Sequence, residues 1–269
     1  MTTGDSVFTG SIPALYDRYL GPLLFMPYAS DLARRLGDVK AGAVLETAAG
    51  TGIVTQVLAA ALPVAVELVA TDLNQAMIDF AAAKPGLKRV SFRQADATKL
   101  PFADASFDAV VCQYGVMFFP DRVAGYREAR RVLKPGGRFL FNVWDSLAHN
   151  PVTAVVHDSM ASLFPADPPR FLARAPHGYH DIETVRTDLR RAGFSNISVE
   201  TLTLACSAPS HRDPAVGFCQ GSPLRGEIEA RNPDGLPQAT ETAAAAVAKR
   251  FGAGALAATM QAHVFAAVS

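Results

Sequence analysis

Short apolar runs alternate with segments of helical periodicity through the first half of the chain. Five runs rich in branched and aromatic side chains predict buried β-strands, at residues 44–47, 66–72, 90–96, 107–113 and 138–144. Three segments in which apolar residues recur every three or four positions predict helices, at residues 52–62, 74–84 and 122–134. Strands that alternate with helices are typical of βαβ units and a parallel sheet, and the right-handed crossover rule makes that sheet doubly wound.

Helix stop signals and later apolar runs extend this pattern. Asn74 is the predicted N-cap of one helix, and Pro135-Gly136-Gly137 is the predicted turn into the fifth strand. The second half predicts a helix at 181–194 that ends at Gly193, a strand at 196–206, two helical patches within 207–256 and a final strand at 260–268. Ligands of such a sheet bind at the carboxyl ends of its strands.

The chain length of 269 residues favours one large domain over residues 1–269. Within it we expect a helical N-terminal cover at residues 1–40 and a ligand-binding core at 41–145. Two inserts, at 146–180 and 207–256, are expected on the substrate side.

Composition narrows the choice of partners. Lys+Arg and Asp+Glu are both 25, so no net charge favours a nucleic-acid or anionic-membrane partner. No apolar run is long enough to span a membrane, and MTTGDSVFTG lacks the features of a signal peptide. The three cysteines are widely spaced and form no metal motif, which favours free thiols, a cytoplasmic location and no bound metal. The sequence leaves the oligomeric state open between a monomer and a homodimer.

The stretch VLETAAGTG (44–52) predicts a strand that enters a tight loop and then a helix. Free N–H groups at a helix N-terminus favour a bound anion or polar ligand, and Gly50 and Gly52 allow a ligand to approach the backbone. Asp72 ends the second strand, at a spacing from Gly52 that suits a carboxylate holding ribose hydroxyls. Asp96 ends the third predicted strand, where it can accept from the amine of adenine.

These motifs together resemble class I S-adenosylmethionine-dependent methyltransferases. The resemblance is strongest to the small-molecule branch related to ubiquinone/menaquinone-biosynthesis C-methyltransferases, also called type 11. It covers residues 40–145, with a weaker match in RRAGFSNISVETL, and rests on VLETAAGTG, ATDLN, QADATKLPF, SFDAVVCQYGVMFF and LKPGGRFLF. It implies a doubly wound, seven-stranded, mostly parallel sheet, and transfer of a methyl group from S-adenosylmethionine to a small organic acceptor through carbon, oxygen or nitrogen.

The resemblance also implies roles for matching residues. The loop would wrap the methionine and ribose parts of the cofactor, and Asp72 would hold the ribose hydroxyls. The remaining residues would contact the adenine or the methionine part. The implied cofactor-binding residues are Tyr16, Tyr19, Glu46, Thr47, Ala48, Gly50, Thr51, Gly52, Asp72, Leu73, Asn74, Met77, Asp96, Ala97 and Gln113. The candidates for the acceptor pocket are Tyr114, Phe118 and Trp144. No catalytic residue is assigned, because methyl transfer needs a general base only for some acceptors.

Ala48 departs from the first glycine that is usual in the family loop. Alanine is tolerated there if its φ is negative and is strained if its φ is positive. Because Glu46, Gly50, Gly52, Asp72 and Asp96 are retained, the sequence favours a working loop.

Two alternatives use the same residues. A dinucleotide fingerprint for an NAD(P)-dependent oxidoreductase needs a third glycine where the chain has Thr55, which disfavours it. The second alternative is a non-catalytic cofactor-binding module with the same fold, and Ala48 is the only feature of the sequence that favours it.

Overall fold

Seven strands form one sheet in the order β3-β2-β1-β4-β5-β7-β6 in the computed structural model, which describes residues 10–269. Their bounds are Gly42–Glu46 (β1), Val66–Asp72 (β2), Val90–Gln94 (β3), Phe107–Gln113 (β4), Leu133–Trp144 (β5), Asn196–Ala208 (β6) and Leu256–Val268 (β7). β1 pairs in parallel with β2 and β4, β2 with β3, and β4 with β5, whereas β7 runs antiparallel to β5. The prediction of a doubly wound, seven-stranded, mostly parallel sheet is confirmed.

Helices separate the strands and fill the segments after β5 and β6. Their bounds are Ile12–Leu15 (α1), Met26–Arg35 (α2), Ile53–Ala61 (α3), Gln75–Ala82 (α4), Arg122–Val132 (α5), Pro151–Leu163 (α6), Phe171–Arg174 (α7), Ile182–Arg191 (α8), Arg212–Gln220 (α9), Leu224–Arg231 (α10) and Leu236–Phe251 (α11). A π-helical stretch, Tyr16–Phe25, joins α1 to α2. None of the helices of the described residues is long and apolar enough to cross a membrane.

Capping side chains explain why several helices begin where the sequence predicts. The Asn74 side chain accepts a hydrogen bond from the Ala76 N–H at 3.1 Å at the start of α4. The Asp181 carboxylate accepts from the Thr184 N–H at 2.7 Å at the start of α8. Both caps satisfy N–H groups that have no partner within the helix. At the end of α8, Gly193 has φ +99°, a conformation that glycine adopts without strain.

Several predicted boundaries are wrong by a few residues. Helix α5 ends at Val132, not 134, and β5 begins at once with Leu133. Pro135-Gly136-Gly137 therefore lies within β5, where the register against β4 shifts between Phe107 and Ala109. This register shift is a β-bulge, and the residues that predicted a turn also explain it. Pro135 has no N–H to donate to the neighbouring strand, and Gly136 has φ +78°.

The chain divides into two compact units. The first comprises the described residues up to Pro27, together with Asp145–Gly178 and Thr203–Gln261, and it is mainly helical. The second comprises Tyr28–Trp144, Tyr179–Leu202 and Ala262–Ser269 and holds the parallel part of the sheet. The single-domain organisation stays a prediction.

The core of the second unit is built on both faces of its parallel strands. Leu45, Leu68 and Val110 are fully buried at the centre of the sheet. Phe141 stacks on Phe139 and on Phe265, with ring centroids 4.7 and 5.1 Å apart. Strands that are covered on both faces explain the nearly continuous apolar runs in the sequence.

Candidate functional site

The loop between β1 and α3 is held by backbone hydrogen bonds to both neighbouring strands. The Thr47 N–H donates to the Val111 carbonyl of β4 at 2.9 Å. The Ala49 N–H donates to the Thr71 carbonyl of β2, also at 2.9 Å. The loop is thus fixed at the carboxyl ends of three adjacent parallel strands, the part of such a sheet where ligands bind.

Three residues of this loop have left-handed backbone conformations. Ala48, Gly50 and Gly52 have φ values of +52°, +56° and +80°. The glycines adopt these angles freely, whereas an alanine in this region costs about 1 kcal/mol. The φ of Ala48 is positive, which is the case in which the sequence analysis expects strain. Ala48 is therefore strained. Strained residues cluster at functional sites, where the surrounding structure fixes them.

The Ala48 methyl group lies against Gly115, which follows β4. A Cβ placed on Gly115 would lie 2.4 Å from the Ala48 Cβ and 2.7 Å from the Cys112 Sγ. These separations are far below an ordinary carbon contact. The Ala48 methyl group therefore fits only because residue 115 is a glycine and has no side chain. The sequence analysis missed Gly115, whose only signal was a glycine placed directly after a strand.

Asp72, at the end of β2, ties the loop to the next helix. Its Oδ2 accepts from the Gly50 N–H and its Oδ1 from the Asn74 N–H, both at 2.8 Å. Burial raises the pKa of the Asp72 carboxyl, while the backbone N–H groups act in the opposite direction. Each carboxylate oxygen has a second lone pair, so Asp72 can still accept from two ligand hydroxyls.

The residues after Asp72 expose an apolar surface. The Leu73 side chain is 57% exposed, although it belongs to one of the large apolar residue types that are usually buried. Its carbonyl accepts from the Gln94 Nε2 at 2.9 Å, which fixes its position. Met77, one turn into α4, is buried instead. An exposed leucine beside a strand-end carboxylate suits the face of a planar ring.

Asp96 lies two residues beyond β3, not at its end as predicted. It is exposed, and its Oδ1 accepts from the N–H and the hydroxyl of Thr98, at 2.8 and 2.7 Å. Ala97 between them is half-buried. Asp96 thus shapes its own turn, and its predicted contact with adenine stays a prediction.

Glu46, the last residue of β1, is 1% exposed. Its Oε2 is buried and has no hydrogen-bond partner among residues 10–269, and the Thr51 hydroxyl in the same loop is in the same state. Burial raises the pKa of Glu46 to about 8, and the charge of Asp72 raises it further, whereas hydrogen bonding from Thr55 lowers it. Buried polar groups without partners are rare in proteins, and each has a reason such as strain, a functional role, or a bound water or ion.

Residues at the end of β4 have an unusual backbone as well. Tyr114 has φ +52°, an outlier for a bulky residue. Its N–H donates to the Asn142 Oδ1 of β5 at 3.0 Å, and Asn142 is fully buried. Gln113, just before it, is half-buried. The buried amide of Asn142 was not recognised in the sequence, where it reads as one polar residue inside an apolar strand.

Two of the three acceptor-pocket candidates pack on each other. The rings of Tyr114 and Trp144 stack with centroids 3.8 Å apart and planes at 4°, and both side chains are buried. Tyr28 meets the two rings edge-on, at 5.6 and 5.5 Å. Phe118 is half-buried. Aromatic stacking of this kind rigidifies the carboxyl ends of β4 and β5.

Tyr16 and Tyr19 belong to the first unit, in the π-helical stretch. Tyr16 stacks on Phe25, with centroids 4.9 Å apart, and the Arg18 guanidinium lies 5.2 Å from the Tyr19 ring. Their predicted closure over a cofactor stays a prediction.

The same unit contains a carboxylate–imidazole pair that the sequence analysis did not identify. The His149 Nδ1 lies 3.2 Å from the Asp145 Oδ2, and the Asp145 carboxylate also accepts from the Gln261 Nε2 at 2.5 Å. A carboxylate that orients an imidazole is an arrangement used by general bases. No group of three or more potential metal ligands occurs in the described part of the chain.

The acceptor oxygens and the apolar surface at the carboxyl ends of β1 and β2 fit an adenosine ligand with a cationic group. Asp72 offers lone pairs to ribose hydroxyls, Leu73 offers an apolar face, and Glu46 offers an unused buried oxygen. The glycines of the loop have no side chain between the ligand and the backbone.

Comparison with known proteins agrees with this geometry. Residues 45–141 match a family described as a methyltransferase domain. The chain is 34% identical over 174 residues to a ubiquinone/menaquinone biosynthesis C-methyltransferase of Ectopseudomonas mendocina, covering 60% of this chain and 68% of that protein. It is 32% identical over 180 residues to a demethylmenaquinone methyltransferase of Clavibacter sepedonicus, covering 63% of this chain and 72% of that protein.

A solved structure with similar architecture is the phosphoethanolamine N-methyltransferase 2 of Haemonchus contortus, in complex with phosphomonomethylethanolamine and S-adenosylhomocysteine. The match has a TM-score of 0.62 at 16% identity and covers 100% of this chain and 60% of that chain. At this identity, the likeness supports the fold alone.

Proposed function

The chain belongs to the class I S-adenosylmethionine-dependent methyltransferases and transfers a methyl group from that cofactor to a small organic acceptor, and we propose that the loop Glu46–Gly52 together with Asp72 holds the cofactor. The observation that carries this assignment is the Asp72 carboxylate, which accepts from the Gly50 and Asn74 N–H groups at 2.8 Å. One side chain thus links the loop, the end of β2 and the start of α4.

Asp72 holds the ribose hydroxyls in this proposal. Leu73 and Asn74 flank the adenine, with Met77 beneath them, and Asp96 and the Ala97 backbone contact its edge. The loop residues Glu46, Thr47, Ala48, Gly50, Thr51 and Gly52 wrap the methionine and ribose parts, and Gln113 lies near the methionine part. Tyr16 and Tyr19 close over the cofactor. The bound cofactor supplies an electrophilic methyl group on a sulfonium, and the protein supplies position and electrostatics.

The acceptor to test first is the ring carbon of a reduced quinone. Two relatives that cover this chain's core are named for ubiquinone/menaquinone biosynthesis and for demethylmenaquinone. Tyr114, Phe118 and Trp144 are the aromatic residues proposed to line the acceptor side. Incubation with a reduced demethylnaphthoquinone and isotopically labelled S-adenosylmethionine, followed by mass spectrometry, tests this choice through the gain of one labelled methyl group.

Location and assembly complete the proposal. The three cysteines of the described chain, Cys112, Cys206 and Cys219, are free and buried, which supports a reducing, cytoplasmic compartment. We propose a monomer or homodimer with no nucleic-acid partner.

The ribose assignment is tested by calorimetric titration of the Asp72→Asn variant with S-adenosylhomocysteine. Hydrogen bonds to a charged acceptor contribute about 1.5–3 kcal/mol each and neutral ones about 0.5–1.5 kcal/mol. Removing the charge beneath two hydroxyls therefore costs about 2–3 kcal/mol and weakens binding about 30- to 150-fold. The matched control is Asp79→Asn, because Asp79 is an exposed acid on α4 that accepts from the Gln75 Nε2 at 2.7 Å. Equal affinity of Asp72→Asn and the unmodified protein would refute the assignment.

A further inference from the structure

Glu46 is the most thoroughly buried acid of the candidate site. It is 1% exposed, and its buried Oε2 finds no hydrogen-bond partner in the described chain. Its position is fixed by its backbone, since the Thr71 hydroxyl donates to the Glu46 carbonyl at 3.0 Å and β1 pairs on both sides. The side chain therefore cannot relieve its burial by moving with a flexible loop.

Among the described residues, no basic side chain faces Glu46 from the elements packed around it. β2 contributes the acid Asp72 and β4 contributes the thiol of Cys112. α3 contributes Thr55, whose hydrogen bonding favours the charged form of Glu46 and only partly offsets the effect of burial. Within residues 10–269, Glu46 forms no ion pair with lysine, arginine or histidine. Two neighbouring acids without a cation cannot both be charged in a buried site at low cost.

The polar groups around Glu46 suit a cationic ligand. The Thr51 hydroxyl, 1% exposed in the same loop, is likewise buried without a partner. The loop that bears Glu46 and Thr51 is the part of the chain that the proposed function assigns to the methionine end of the cofactor. That end carries an α-ammonium group, which has three donors and one positive charge and supplies what the Glu46 oxygen lacks.

We infer that Glu46 is a neutral carboxylic acid in the cofactor-free protein and releases its proton to solvent when the α-ammonium group of the cofactor binds beside it. The inference rests on the proposed function. The step breaks only the O–H bond of Glu46 and forms an ammonium–carboxylate pair, with no change of oxidation state. A neutral acid avoids the cost of a buried unpaired charge until the cation arrives.

The expected number of released protons follows from the pKa of Glu46 in the cofactor-free protein. Burial raises the pKa of Glu46 to about 8, so about 0.9 of the molecules hold the proton at pH 7. Binding at pH 7 therefore releases about 0.9 proton. Because protons compete with the cofactor, affinity falls about tenfold from pH 7 to pH 6.

The experiment is isothermal titration calorimetry of the full chain at pH 7 in phosphate and in Tris, two buffers with different ionisation enthalpies. The first probe is S-adenosylhomocysteine, which has the amino-acid part. The second is 5′-methylthioadenosine, which has the same adenosine and a thioether but no amino acid. A proton released by Glu46 gives a buffer-dependent enthalpy for the first probe and none for the second.

The pair of probes separates Glu46 from Asp72, since both probes occupy the ribose site. Glu46→Gln keeps the size of the neutral acid and has no proton to lose, so S-adenosylhomocysteine binds to it without proton release. Asp79→Asn, on exposed α4, releases the same number of protons as the unmodified protein.

Buffer-independent binding of S-adenosylhomocysteine to the unmodified protein would overturn the inference and leave the proposed function standing. Equal proton release with both probes would also overturn it, because the proton would then come from the adenosine side. Folded protein that binds neither probe would refute the proposed function itself. The measurement on the unmodified protein decides the matter even if Glu46→Gln does not fold.

Discussion

Gly115→Ala tests the interlock between the loop after β1 and the segment after β4. The new Cβ would lie 2.4 Å from the Ala48 Cβ and 2.7 Å from the Cys112 Sγ. The Ala48 Cβ is fixed to its backbone and Cys112 is fully buried on β4, so the clash is relieved mainly by separation of the two segments. Overpacking of this kind costs about 1–3 kcal/mol. Gly115 itself has φ −96° and ψ −39°, angles that alanine adopts without strain. The substitution therefore also stabilises the protein by about 0.4–1 kcal/mol, because alanine lowers the entropy of the unfolded chain.

The net expectation is a loss of about 1–2 kcal/mol in the free energy of unfolding, measured by urea denaturation. The matched control is Gly226→Ala in α10, where an added Cβ meets nothing within 4 Å. That substitution is expected to stabilise the protein by about 0.5–1 kcal/mol through higher helix propensity. The contrast between the two glycines separates packing from the general effect of replacing glycine.

A double-mutant cycle identifies the clashing atom. In an Ala48→Gly background, the contact at 2.4 Å is removed and only the one with Cys112 stays. The cost of Gly115→Ala should then fall by about 1 kcal/mol, an interaction energy within the range for residues in contact. If Gly115→Ala is as well tolerated as Gly226→Ala, or costs the same in both backgrounds, the packing of Ala48 over Gly115 is refuted.

Two further predictions concern stability. The pKa of Glu46 is raised from 4.5 to about 8, so the folded state binds more protons than the unfolded state, and the stability of the cofactor-free protein falls as pH rises between these values. The stability difference between the unmodified protein and Glu46→Gln, measured by urea denaturation, should change by on the order of 3 kcal/mol from pH 5 to pH 8; a constant difference would contradict this. Asn150 donates from its Nδ2 to three carbonyl oxygens at 3.1 Å and accepts from the Gln261 N–H at 3.1 Å, all within the first unit. Asn150→Ala should lower the free energy of unfolding by about 2–4 kcal/mol, and a loss below 1 kcal/mol would show that these bonds are replaced by water.

Local patterns explain why most of the fold was predictable. The strands of the second unit are buried on both faces, so each appears in the sequence as an apolar run, and Asn74 and Gly193 mark helix ends through their own chemistry. The helix through residue 134 was wrong because Leu133 suits both a helix end and a strand, and pairing with Phe107 decides for the strand.

The parts of the site that escaped prediction depend on contacts between distant residues. The φ of Ala48 is set by hydrogen bonds of the loop to β2 and β4, and the role of Gly115 depends on where the Ala48 methyl lies. Asn142 reads as an isolated polar residue until its Oδ1 is seen to accept from the Tyr114 N–H. Spacing along the chain shows which strands end in an acid. The hydrogen-bond partners of those acids depend on the tertiary structure and cannot be predicted from spacing.

The central claim is that this loop binds S-adenosylmethionine despite the strain at Ala48. Its most direct test is calorimetric titration of the unmodified protein with S-adenosylhomocysteine, alongside titration with NADH followed by fluorescence. The account predicts saturable binding of S-adenosylhomocysteine in the micromolar range, about 8 kcal/mol of binding free energy, and no response to NADH. Saturable binding of NADH by folded protein that ignores S-adenosylhomocysteine would contradict it.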